Sequence, residues 1–157
     1  MANNIYMKIK GCAQGGISDG CSSYKSLGNK YQASHTDEIL VIAVSFDVSR
    51  AQNLIHGPVS ITKYVDKATP LLLTAVTNNE IMDCEIDYYR TSDTGAQEKY
   101  MTILLRNASI INFSQNHANA LMQNDVLPSE TLTIRYESIT CNHIMASTSG
   151  YSIGSVI

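Results

Sequence analysis

Charge and long apolar runs are scarce in this sequence. Charged residues make up 16% of its 157 positions, against about 25% in an average soluble domain. Eleven Lys and Arg against fourteen Asp and Glu give a net charge of −3, and no basic block is present, which argues against a nucleic-acid partner. The longest apolar run, residues 39–44, is too short to span a membrane, and residues 1–30 lack the apolar centre of a signal peptide. We therefore predict a soluble protein made in the cytoplasm, with no membrane insertion.

Familiar catalytic and metal-binding motifs are also scarce. The dinucleotide-binding pattern Gly-x-Gly-x-x-Gly, the P-loop and the zinc pattern His-Glu-x-x-His do not occur. Cys141 and His143 share one face of a predicted strand and could bind a metal with His117 or Cys84, but the spacing supplies no full set of ligands. A Cys–His nucleophile pair forms in space and leaves no local trace in a sequence. We predict no catalytic residue, no metal site and no cofactor.

The four cysteines do not look like a disulfide framework. Cys12, Cys21, Cys84 and Cys141 are scattered along the chain. A globule of this length buries about 68–70% of the surface that its unfolded chain exposes, so it needs no cross-link to be stable. We predict free thiols.

Alternation of apolar and polar side chains predicts a β-rich fold. Ile5, Met7 and Ile9 share one face of a strand near the N-terminus. A hairpin turns at residues 92–95, and the apolar parity slips by one residue near the end of the last strand, as a β-bulge would produce. The acidic side chains of the hairpin, Asp83, Glu85 and Asp87, are predicted to form a hydrated face. The predicted strands lie around residues 5–10, 38–48, 59–65, 82–91, 101–105, 108–113 and 132–141.

One helix is predicted, over about residues 69–79. Thr69 is a candidate N-cap and Pro70 stands at the first helical position, where its missing N–H costs nothing. Asn78 and Asn79 can end the helix. The strands and this helix together predict a mostly β protein: an antiparallel β-barrel of two sheets with one flanking helix.

Two stretches fall outside this pattern. Residues 11–36 are rich in glycine and polar side chains and show no periodicity. A loop of that length in a compact domain is usually functional or disordered, and a partner could order it. The chain ends in the apolar residues Ile153, Val156 and Ile157. An exposed apolar tail lowers solubility, so we predict that it packs on its own fold or on a neighbour.

Five blocks carry a resemblance that runs over nearly the whole chain. They are Ile5-Tyr6-Met7-Lys8-Ile9-Lys10-Gly11, Asp66-Lys67-Ala68-Thr69-Pro70-Leu71-Leu72, the hairpin Tyr88-Tyr89-Arg90-Thr91 to Gln97-Glu98-Lys99-Tyr100, Leu105-Arg106-Asn107-Ala108, and Arg135-Tyr136-Glu137-Ser138-Ile139-Thr140. In order and spacing they resemble the Hcp family, the tube subunits of the bacterial type VI secretion system. The family often has Trp after the last of these blocks, where this sequence has Cys141.

The resemblance implies a structural subunit and not an enzyme. It implies a ring of six copies, stacking of rings into a tube, contact with spike and sheath proteins of the secretion system, and export with effectors carried in the lumen or attached. Residues 1–157 are expected to form a single tube domain without a C-terminal effector extension. Assembly is expected in the bacterial cytoplasm, followed by secretion to the medium or to a target cell. The candidate contacts between subunits or rings are Gly11, Gln14, Gly15, Gly16, Ser18, Asp19, Ile153, Val156 and Ile157.

Two other functions remain open from the residues alone. One is a small-molecule-binding β-barrel, which would enclose an apolar pocket and need no ring. The other is a hydrolase with a spatially assembled Cys–His or Ser–His pair.

Overall fold

The computed structural model of the chain describes residues 3–154 and consists mainly of antiparallel strands. Two α-helices and two short 3-10 turns, Gly28–Lys30 and Ala33–His35, interrupt them. The elements are β1 (Asn4–Gly11), β2 (Gly15–Gly16), α1 (Tyr24–Leu27), β3 (Ile39–Ser45), β4 (Val48–Arg50), β5 (Leu54–His56), β6 (Val59–Tyr64), α2 (Thr69–Thr77), β7 (Met82–Thr91), β8 (Gln97–Asn116), β9 (Ser129–Arg135), β10 (Ser138–His143) and β11 (Thr148–Ile153).

Strand β8 closes the sheet into a barrel. The strand order is β11-β10-β8-β7-β1-β3-β6-β9, and β9 pairs again with β8. The first part of β8 pairs with β7, and its second part, from Ser109 onward, pairs with β9. Asn107 lies in an irregularity of the β7 pairing, between Leu105 and Ala108, with φ 49°, a left-handed conformation that asparagine tolerates better than most residues. Strands β10 and β11 extend the sheet beyond the barrel, and β4 and β5 form a separate two-stranded ribbon. The predicted antiparallel barrel of two sheets is confirmed.

The inward faces of the barrel strands and one face of α2 form a continuous apolar core. Alternate residues of each strand point inward, as the period of two predicts. Leu72 and Ala75 are the fully buried residues of α2. Side chains fill the interior of an eight-stranded barrel. The closed circuit of strands here is smaller, so side chains fill its interior as well. The most deeply buried core side chains include Met7, Ile9, Ile39, Ile61, Leu72, Met82, Ile86, Ile103, Leu105, Leu132 and Ile134.

Helix α2 lies where the sequence predicts it, but its N-terminus is capped differently. Ala68 occupies the N-cap position, and its N–H donates to Asp66 Oδ1 at 2.9 Å. The Thr69 hydroxyl is not a cap, because it donates to the buried Glu130 carboxylate at 2.7 Å. The helix ends at Thr77, followed by the two asparagines.

The hydrated acidic face predicted for β7 is wrong for one of its three members. Asp83 is exposed and Glu85 half-buried, whereas the Asp87 side chain is fully buried. The reason is long-range: the turn around His35 packs on Tyr6 of the neighbouring β1 and covers this part of the outer face.

Candidate assembly surfaces

The glycine-rich segment 11–36 is folded onto the barrel and tied to it by Glu80. Lys10 and Gly11 pair with Gly16 and Gly15 in a tight hairpin. The Glu80 carboxylate accepts the backbone N–H groups of Ala13 and Gln14, and also the Gln14 side-chain amide at 3.0 Å. These hydrogen bonds lower the pKa of Glu80, although burial of the carboxylate acts in the opposite direction. Gly11 packs so closely on this carboxylate that a side chain there would displace it.

The predicted contact residues in this segment are not equally available to a neighbour. Gly16 and Asp19 are exposed, Gln14 and Gly15 are half-buried, and Gly11 is buried. Ser18 is also buried, because its Oγ accepts the N–H of Ile9 at 3.2 Å while Ile17 beside it enters the core. The surface that the segment offers is therefore its tip, around Gly16 and Asp19.

Residues 16–20 match the serine-hydrolase pattern Gly-x-Ser-x-Gly, but not its structure. That pattern works as a sharp strand-to-helix turn that exposes the serine hydroxyl. Here Ser18 is 3% exposed and bonded to the β1 backbone. A second serine, Ser152, has its Oγ 3.0 Å from His56 Nε2. The other nitrogen of His56 bonds the Tyr136 hydroxyl, where a catalytic triad would have a carboxylate. The adjoining cavity of about 190 Å³ is lined by His56 and Tyr136 but not by Ser152. Neither serine has the surroundings of a nucleophile.

The four cysteines are unpaired. Burial raises the pKa of the Cys21 and Cys84 thiols to about 12, and burial also raises the pKa of Cys141. A thiol with a raised pKa is protonated at neutral pH and is a poor nucleophile. Within residues 3–154 no three His, Cys, Asp or Glu side chains converge as metal ligands. No helix in the same range is long and apolar enough to cross a bilayer.

A cluster of titratable side chains holds the segment 33–38 on the outer face of the barrel. The His35 ring stacks on Tyr6 with centroids 3.8 Å apart, and its two nitrogens bond Glu38 and Gln97. Beside this stack lies the buried Asp87. Its Oδ1 accepts the Thr102 hydroxyl at 3.0 Å, and its Oδ2 has no hydrogen-bond partner.

Burial and the nearby Glu85 carboxylate raise the pKa of Asp87 to about 6. The ammonium groups of Lys99 and Lys8 lie 3.7 Å and 3.9 Å from its Oδ2, too far for direct hydrogen bonds. The carboxyl group of Asp87 therefore binds a proton more readily than an exposed aspartate does.

Strand β11 is an open edge of the large sheet. It pairs with β10 on one side and with no strand of residues 3–154 on the other. Tyr151 is 65% exposed and Ile153 57% exposed. The strand has neither a charged residue nor a proline, the features with which monomeric proteins commonly protect a free edge. The predicted contacts Val156 and Ile157 lie outside the described residues. In strand order, β10, β8, β7 and β1 separate this edge from the tip around Gly16 and Asp19.

Two further exposed surfaces were not predicted from the sequence. The β4–β5 ribbon exposes Val48 and Ile55. The connection between β8 and β9, residues 117–128, carries Leu121 and Met122, which are 92% and 81% exposed. The sequence contains a signal for such surfaces. Large apolar residues that stand alone in polar stretches are not part of a core-facing pattern, and several of them together indicate an interaction surface.

Comparison with known proteins gives one consistent result. Residues 6–143 match the family model described as Type VI secretion system effector, Hcp. The chain is 36% identical to the Major exported protein of Pseudomonas aeruginosa, over 96% of this chain and 94% of that protein. It is 37% identical to the uncharacterized protein YhhZ of Escherichia coli over 94% of its own length, but it spans only 37% of YhhZ.

Solved structures agree with these sequence matches. The secreted protein Hcp3 of Pseudomonas aeruginosa superposes with a TM-score of 0.89 at 36% identity, covering 99% of this chain and 100% of that one. A crystal structure of an Hcp protein gives a TM-score of 0.94 at 30% identity, with the same coverage.

Proposed function

The chain belongs to the Hcp family of type VI secretion system effectors, and from this premise we propose that it is the subunit of a ring of six copies that stacks into the secretion tube. Proteins of this family are secreted and are not enzymes. The proposed role is structural and requires no bound cofactor.

The open edge strand β11 is the observation that carries the proposal. Its unpaired N–H and C=O groups can bind another strand, and no charge repels one. Tyr151 and Ile153 add exposed apolar area next to this edge. A closed ring requires that two different surfaces of the same subunit meet, since a surface that binds itself gives only a dimer. Edge β11, with the β4–β5 ribbon beside it, is one such surface, and in the ring it meets a different surface of the neighbouring copy.

Substitution of Ile153 by Lys tests this proposal. A lysine on the edge places a charge where the neighbouring strand must lie, so Ile153→Lys should reduce the ring to smaller species. Leu73→Lys is the matched control, because Leu73 has the same 57% exposure on α2. Mass photometry should show about 103 kDa, six times 17.2 kDa, for the unmodified protein and the control. An unmodified protein that stays monomeric at all concentrations would overturn the proposal of a ring.

We propose that the tip of the glycine-rich segment contacts the adjacent ring of the stack. Gly16 and Asp19 are its exposed members. Asp19→Lys should change the stacking of rings and leave ring closure intact, whereas an unchanged stack would remove the tip from the contact. Electron microscopy of negatively stained samples distinguishes single rings from stacks.

The ring leaves room for cargo. For 157 residues the compact-domain rule gives a globule about 39 Å across, and six touching discs leave a central gap about one disc wide. We propose that effectors travel in this gap or attached to the tube, that the tube assembles in the bacterial cytoplasm, and that spike and sheath proteins contact it. A closed centre in projection images would reject carriage in the lumen.

The small-molecule-binding barrel is the weaker candidate. Core side chains pack together inside the barrel, whereas a ligand barrel needs an enclosed apolar cavity. A concavity of about 610 Å³ lies outside the barrel and is lined by charged side chains that include Lys8, Asp83, Glu85 and Arg106.

A further inference from the structure

His56 connects three parts of the chain through one imidazole ring. Its Nδ1 lies 2.9 Å from the Tyr136 hydroxyl, and its Nε2 lies 3.0 Å from Ser152 Oγ. The ring also packs edge-on against Tyr136, with centroids 5.5 Å apart and planes at 83°. His56 is the last residue of β5, Tyr136 lies between β9 and β10, and Ser152 lies in β11. The ribbon, the barrel and the open edge therefore meet at this side chain.

The ribbon continues the antiparallel pair of strands β3 and β6 at its base. Among residues 3–154, β4 and β5 pair only with each other. At its base, the Gly57 N–H donates to the Asp47 carbonyl at 2.9 Å. A two-stranded ribbon alone is marginally stable in water, so the contacts of His56 at its base add to the direction that β3 and β6 give it.

The two hydrogen bonds suit a neutral imidazole in either tautomer. One ring nitrogen donates and the other accepts, and both partners are hydroxyl groups, which can do either. Gly154 adds to the joint just beyond the same end of β11: its N–H donates to the Glu137 carbonyl at 2.6 Å, and a β-carbon at this position would lie 3.8 Å from Cγ of the His56 ring. The end of β11 is thus held beside the base of the ribbon.

We propose that His56 is the positioning residue that joins the ribbon and the β11 edge into one surface, and that this surface binds a second copy of the chain. The inference rests on the proposed ring. A second copy fits because the edge needs backbone partners, which a strand supplies, and because both parts are almost uncharged: β11 has no charged residue and the ribbon strands carry only Arg50. An acidic or basic partner would find no counter-charge there.

Variants that remove single hydroxyl groups test the role of His56 without removing its packing. Tyr136→Phe and Ser152→Ala each delete one hydrogen bond of the imidazole, and His56→Ala deletes both. Losing one such bond should raise the concentration at which half of the rings dissociate about fivefold, and His56→Ala should raise it tenfold or more. Tyr64→Phe and His117→Gln are the matched controls and should leave this concentration unchanged.

Two readouts separate positioning from a general loss of stability. Hydrogen exchange of the β4 and β5 amides in unassembled chains should speed up in His56→Ala, with exchange in β1 and β7 unchanged. Ile55→Ser should weaken the ring of the wild-type chain, but weaken it much less in the His56→Ala background, because the ribbon is then already out of place. Full additivity of the two substitutions, or rings of normal stability in Tyr136→Phe and His56→Ala, would overturn the role of His56. Wild-type chains that form no ring would instead overturn the proposed function and this inference with it.

Discussion

Lys63 and Glu130 face each other on strands β6 and β9 and form an ion pair without any exposed side-chain surface. Asp66 joins them with its Oδ1 3.0 Å from the Lys63 ammonium. The Glu130 carboxylate also accepts the Thr69 hydroxyl at 2.7 Å and the Gln115 amide at 2.9 Å. One buried charge cluster therefore connects β6, the start of α2, β8 and β9.

Removing the single cation of this cluster should be among the most destabilising substitutions in the chain. Lys63→Met leaves two buried carboxylates without a counter-charge, which costs about 3–5 kcal/mol of unfolding free energy. Urea unfolding at pH 7 measures this loss of unfolding free energy. Lys67→Met is the control, because Lys67 is exposed and lies three residues beyond the end of strand β6. Adding Glu130→Gln to Lys63→Met should recover part of the loss. A cost below about 1 kcal/mol would show that the carboxylates take up protons easily.

Asp87 should make the stability depend on pH in the opposite direction to an ordinary paired carboxylate. Its pKa in the folded chain is raised to about 6, above that of an unfolded aspartate, so folding favours the protonated form. Its stabilising contribution is complete below about pH 4 and is lost as pH rises through 6. Asp87→Asn removes this dependence. Relative to the wild type, the variant should gain about 1–3 kcal/mol between pH 4 and pH 7, measured by urea unfolding at each pH. An unchanged difference across that range would contradict the burial argument.

The Lys63 and Asp87 positions show how far the sequence alone can be used. Lys63 has the same parity as Val59 and Ile61 in the predicted strand 59–65, which predicts an inward face, and the structure has it there with no exposed surface. The same parity placed Asp87 outward, which is correct, but an outward side chain is exposed only if nothing covers the sheet. The cover comes from His35, which is distant in sequence and reaches Asp87 only through the fold. Local periodicity has no information about such contacts.

The candidate surfaces divide in the same way. Ile153 was predicted because apolar residues end the chain, and the structure shows it exposed on an open edge. The ribbon was missed because residues 38–48 look like one long strand, and the break between β3 and β4 depends on which strand pairs with which partner. The sequence does not single out His56 among its four histidines, since the two hydrogen-bond partners of this residue lie 80 and 96 residues away.

Glu80 should stabilise the glycine-rich hairpin only while it is ionised. Hydrogen bonds from Gln14 and Ala13 lower its pKa, so its contribution is present above the pKa of an unfolded glutamate and is lost as pH falls through the lowered value. Glu80→Gln should cost about 1–3 kcal/mol at pH 7 and less as the pH approaches 3. Thermal unfolding across this range measures the cost, and Glu98→Gln, on an exposed ion pair with Arg90, is the control. An equal loss at both ends of the range would show that the carboxylate acts through its shape and not its charge.

Stacking of rings should respond to salt more than ring closure does. Each chain carries −3, so a ring of six carries about −18, and two rings approach against their mutual repulsion. Mobile ions limit that repulsion to about 8 Å at physiological ionic strength and to less at higher salt. Stacks should therefore be few at low salt and increase as salt is added, while rings held by strand pairing and apolar contacts at β11 stay closed. Light scattering follows the stacks and mass photometry follows the rings. Stacks that dissolve as salt rises would show that ion pairs between rings, for example at Asp19, outweigh the net charge.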